Sequence, residues 1–142
     1  MARVTIRMMR WFCSVTDKRL LRPWVEGGYR YAGDRASIIR VPCKSVEKTG
    51  PLVPVAAARQ LFKKWMRKGG VWIRADDLVV NWSRGFAVLG GVRLSGYYTK
   101  LITSLPNAVI RVPSQARRHS PIPFRFDGEE GLVMPLGLEG AE

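Results

Sequence analysis

The spacing of apolar residues changes period several times along the chain. Residues 2–6 alternate as a short strand would, and Met8, Trp11, Phe12 and Val15 then recur at i, i+3, i+4 and i+7, the spacing of a helix. That helix should stop before Arg22-Pro23, because the residue preceding a proline avoids the α region. Residues 24–32 and 36–41 read as two strands joined by a tight turn at Gly33-Asp34. Residues 44–52 are polar and aperiodic and contain Gly50-Pro51, so they read as a linker.

Residues 54–70, PVAAARQLFKKWMRKGG, hold the clearest pattern. At 100° per residue, Arg59, Gln60, Lys63, Lys64, Arg67 and Lys68 fall in one arc of about 180°, and Ala58, Leu61, Phe62, Trp65 and Met66 fill the other. Pro54 suits a first turn and Gly69-Gly70 a left-handed stop. Three β-rich runs follow, at 71–74, 78–82 and 86–89, with Gly90-Gly91 closing the unit. A second amphipathic helix is predicted at 97–105, with Tyr98, Leu101, Ile102 and Leu105 on one face. Strands at 108–112, 122–126 and 132–136 come next, with turns at 114–119 and Asp127-Gly128.

The predicted fold class is α+β, built from repeated units of one amphipathic helix packed on a three-stranded antiparallel meander. A single domain, residues 1–142, would contain a strand-helix-hairpin unit at 1–51, full units at 52–90 and 91–138, and a tail at 139–142. A repeat near 40 residues implies that each unit buries its face against its neighbour.

Charge narrows the function. The net charge is +13 in 142 residues, and self-repulsion of that size points to a polyanionic partner, nucleic acid first and an anionic membrane surface second. An ordinary solvated helix mixes signs, because Glu to Lys pairs support it. The arc at 59–68 has five cations and no acid. No apolar run is long enough to span a membrane. The basic N-terminus resembles a targeting peptide in composition, but its alternation favours a strand.

The inventory for chemistry is thin. Cys13 and Cys43 form no CxxC pair and His119 stands alone, so no metal site can be assembled and no cofactor is expected; two free thiols are the expected state. An enzyme acting on nucleic acid would need clustered carboxylates for Mg²⁺. Asp76-Asp77, Asp127 with Glu129-Glu130, and Asp34 all fall in predicted turns, where acids commonly serve as turn formers.

Four strings, in order, carry a resemblance. RPWVEGGYRYAGD, Val53-Pro54 with ARQLF and SRGFAVLGG, SGYYTKLITSLPN, and SPIPFRFDGEEGLVMPLGL together resemble the sliding clamps of DNA replication in their bacterial form. The last string, similar to the clamp C-terminus, is the most specific. The resemblance implies a non-enzymatic processivity factor or tether whose helices face duplex DNA. Arg59, Lys63, Lys64, Arg67, Lys68 and Lys100 would contact phosphates. It also implies a partner-peptide pocket at Leu132, Met134, Pro135 and Leu136, which would receive a DNA polymerase or another clamp-binding protein. With two or three helices per chain, a closed ring would need a homo-oligomer of six or four copies. A cytoplasmic location, bacterial or in an infected host cell, goes with that function. The alternative is a ringless basic protein of a phage or mobile element that binds nucleic acid or competes for a clamp's partners.

Overall fold

The computed structural model describes residues 6–13, 23–34, 36–43, 55–66 and 70–140. Among them are ten strands and three short helices, α1 (Ile6–Arg10), α2 (Val55–Trp65) and α3 (Gly96–Thr103). The strands are β1 (Trp24–Glu26), β2 (Tyr29–Gly33), β3 (Ser37–Pro42), β4 (Val71–Arg74), β5 (Phe86–Leu89), β6 (Val92–Ser95), β7 (Val109–Val112), β8 (Ile122–Phe126), β9 (Glu129–Val133) and β10 (Gly137–Leu138). A seven-stranded sheet has the order β1-β2-β3-β9-β8-β7-β4, and a three-stranded sheet has the order β10-β6-β5. Every pairing is antiparallel.

This architecture overturns the expected repeat of helix on meander. Instead of pairing within a unit, β4 pairs with β7, β3 with β9, and β5 with β6. The physical reason lies in the centre of the large sheet, which carries apolar clusters on both faces. Neighbouring residues such as Pro123-Phe124 in β8 and Leu132-Val133 in β9 are both buried, so these stretches do not alternate as a meander with one solvated face would.

Three two-residue turns set the hairpins. Gly27-Gly28, Gly90-Gly91 and Asp127-Gly128 each place two successive residues at positive φ (58° and 83°, 55° and 83°, 48° and 80°), the geometry that matches strand twist. The first splits the single strand expected at 24–32 into β1 and β2. The second joins β5 to β6 where the sequence suggested the end of a unit. The strand expected at 78–82 is reduced to one bridge, Asn81 with Phe86. Asn81 Oδ1 accepts from the Ser83 and Arg84 amides, a local turn that competes with strand pairing. The strand expected at 2–6 and the linker at 44–52 lie outside the described residues, apart from Ile6, which opens α1.

Two apolar clusters occupy opposite faces of the large sheet. Ala32, Ile39 and Val133 belong to one, with Phe12 of the α1 turn, Leu94 of β6, Ile102 of α3, and Phe124. Their chain neighbours Tyr31, Ile38 and Leu132 belong to the other, with Trp24 and Phe62 of α2. Adjacent strand residues point to opposite faces, so α1, α3 and the small sheet cover one side and α2 the other. The sequence expectation for α3 agrees: Ile102 and Leu105 are buried, and Tyr98 and Leu101 pack against the same cluster.

Tyr98 ties α3 to the β2–β3 turn. Its hydroxyl donates to Asp34 Oδ2, while Oδ1 accepts from the Ala36 and Ser37 amides. Burial first, and then Asp34, push the Tyr98 hydroxyl above its ordinary value. The fold therefore holds a proton that the unfolded chain releases near pH 10, so this stabilisation is complete below about pH 10 and lost as pH rises further. Denaturant midpoints should fall more steeply above pH 10 in the wild type than in Tyr98→Phe. Parallel alkaline limbs would overturn this assignment.

Candidate nucleic-acid interface

The sequence places a helix at α2 because its apolar stripe has one seat. Phe62 is fully buried and meets Tyr31 with ring centroids 6.2 Å apart. Trp65 and Met66 pack at the margin of the same cluster. Leu61, expected on the packed face, is instead 42% exposed. Beneath the helix, Arg40 lies 4.3 Å from the Phe62 ring centroid and 4.2 Å from that of Tyr29, and forms an ion pair with Glu130. This internal charge is thus neutralised, and the helix brings only its outward cations to the surface.

Arg59, Lys63 and Lys64 are exposed, as the arc requires. A Cβ on Gly27 would sit 3.1 Å from Arg59 Cζ, so the Arg59 guanidinium rests on the β1–β2 turn and needs glycine there. Lys64 Nζ stands 5.0 Å from the Trp65 ring centroid. Arg67 and Lys68 lie outside the described residues.

The same side of the large sheet adds cations from β7 and β8, beside Trp72 of β4. Trp72 is directly opposite Arg111, and Arg125 opposite Val109. The Arg125 guanidinium lies 5.1 Å from the Trp72 ring centroid. A Cβ on Gly70 would come within 2.5 Å of Arg111 Nε, so Arg111 fits closely against the chain after α2. A cavity of about 360 Å³ at the end of these strands is lined by Trp65, Arg111 and Arg117, with Ser114, Gln115 and Ser120. The α2 arc and this strip lie on the same side of the large sheet, and Trp65 of α2 shares the cavity with Arg111 and Arg117 of β7 and the loop after it. Sequence periodicity did not single out Arg111, Arg117, Arg125 or Trp72. The signal was the alternation in VIRV and PFRF, which puts arginine at the position facing away from the large cluster.

Lys100 does not join this surface, because α3 packs on the opposite face of the sheet. The four residues of the expected peptide pocket are also divided. Leu132 is buried beneath α2, Pro135 is buried, Met134 is partly so, and Leu136 is 61% exposed, its amide bonded to Arg93 O of the small sheet.

The acids have other partners. Glu130 pairs with Arg40, Asp76 with Arg74 (3.3 Å), and Glu139 with Arg93 (3.1 Å), while Asp127 accepts from Asn107. Burial, and then Glu130 and Asp127, raise the Glu129 carboxyl above the usual range. Among the described residues no three His, Cys, Asp or Glu side chains gather where a metal could be held, and no described helix is long and apolar enough to cross a membrane. No family model, no curated protein and no solved structure matches this chain.

Proposed function

We propose that this chain is a non-enzymatic module that binds nucleic acid through its phosphate backbone. The observation that carries the reading is the set of cations that α2, β7 and β8 place on one side of the large sheet. Among the described residues no carboxylate pairs with Arg59, Lys63, Arg111 or Arg125, whereas Arg40, Arg74, Arg84 and Arg93 each have one. Unpaired cations on one face suit a track of phosphates and read no base sequence. A ring of four or six copies is not part of this proposal, because the helix-on-meander repeat that would line its channel is replaced by two sheets. The cytoplasm is the proposed setting, supported by Cys13 and Cys43 being free thiols.

Lys63→Glu combined with Arg111→Glu should weaken binding of duplexes of unrelated sequence alike. The slope of log affinity against log salt should flatten by roughly one for each phosphate that is no longer neutralised. A folded double variant with unchanged affinity and slope would remove the proposal.

A further inference from the structure

We infer that a second surface, at the start of α3 and on the opposite side of the large sheet from α2, binds unpaired nucleotides by stacking their bases on Trp82, Tyr97 and Trp11. It goes beyond the backbone interface above and rests on that reading only for the polyanionic class of the partner.

These aromatic residues are far more exposed than folding alone requires: Trp82 by 64%, Tyr97 by 58% and Trp11 by 40%. Trp82 and Tyr97 are both held at the start of α3, and the Trp11 backbone is tied to the same point. A Cβ on Gly96 would lie 3.0 Å from Trp82 Cζ3, so the indole is seated on the first residue of α3. Tyr97, the next residue, donates its hydroxyl to the Trp11 carbonyl at 3.4 Å, and its ring meets that of Tyr98 edge-on at 5.1 Å. The Trp82 and Tyr97 rings, fixed this way, lose little freedom when a flat ligand settles on them.

The choice of partner comes from charge. Each ring has an exposed cation close in the chain: Arg10 precedes Trp11, Arg84 follows Trp82 by two, and Lys100 follows Tyr97 by three, within one helical turn. Arg84 also reaches Glu139 at 3.9 Å and covers the Phe86 ring at 4.7 Å, which leaves Arg10 and Lys100 as the cations without a described carboxylate partner. Aromatic faces accompanied by cations are what a single strand uses, its bases stacking while its phosphates are neutralised. A duplex hides its base faces and gains nothing from the rings. A purely apolar protein partner would have to desolvate Arg10 and Lys100 with no acid to receive them. Lys100 thus acquires a place in nucleic-acid binding apart from the α2 arc.

The test uses oligothymidylate, whose bases stack but do not pair, and a duplex of equal length. Oligothymidylate should quench tryptophan fluorescence in the wild type. Tyr97→Ala and Trp82→Ala should each lower its affinity roughly tenfold, and duplex affinity should change less than about twofold. Tyr97→Phe keeps the ring and should restore the wild-type value, which separates stacking from a loss of fold. Wild-type protein that binds duplex but not oligothymidylate would overturn this site and leave the α2 interface standing. Failure of the wild type to bind either ligand would overturn both. Variants that alter self-association in sedimentation, with oligothymidylate affinity unchanged, would make the patch a protein contact and overturn the inference.

Discussion

Gly131→Ala should destabilise the chain by about 3 kcal/mol, an unusual cost for adding a single methyl group. Gly131 lies in β9, the central strand of the large sheet. A Cβ there would fall 2.5 Å from Phe124 Cε2 and 2.8 Å from Ile39 Cγ2. Neither neighbour can yield cheaply. Phe124 is fully buried, stacks on Phe12 at 6.3 Å and meets Phe126 at 6.0 Å, while Ile39 is itself at 0% exposure. Gly128→Ala is the control. Its φ of 80° strains an alanine, but nothing lies within 4 Å of the added carbon, so about 1 to 2 kcal/mol is expected from backbone alone. Equal urea midpoints for the two variants would mean that the Phe124 ring moves aside, contrary to the packing described.

Phe62→Ala should cost about 3 to 5 kcal/mol, the range for emptying a buried aromatic site. The ring closes the cluster of Trp24, Tyr31 and Leu132 and covers the Arg40 guanidinium. Its removal opens a cavity and admits water to the Arg40–Glu130 pair. The second expected result is functional. Since Phe62 seats the helix that carries Arg59, Lys63 and Lys64, duplex affinity should fall although Phe62 itself is 1% exposed and touches no ligand. A variant with unchanged midpoint and affinity would show that α2 is held by Trp65 and Met66 instead.

The helices and hairpin turns were more legible in the sequence than the way the strands combine. The 3.6-residue stripe located α2 and α3, and Asp127-Gly128 and Gly90-Gly91 announced turns. Pairing was not legible, because nothing local tells Ile39 that its partner is Gly131. The repeat of one helix and three strands was read from the recurrence of periodic segments, the clamp resemblance rested on that same order, and the sheets contradict it. Of the candidate surface, the α2 arc was readable since it lies within one helix. Arg111, Arg125 and Trp72 come from three strands and meet only once β7 pairs with both β4 and β8.

The position of β9 has a consequence for how the chain is made. Arg40 and Glu130, joined across β3 and β9, are 90 residues apart in sequence. On a ribosome, β1 to β3 would emerge well before β9 and wait, with the edge of β3 open, through the synthesis of the strands between them. Such long-range closure makes folding slow and leaves an unpaired apolar edge available to other chains meanwhile. The order of synthesis runs against the order of assembly, so the nascent chain is at its most aggregation-prone just before β9 emerges.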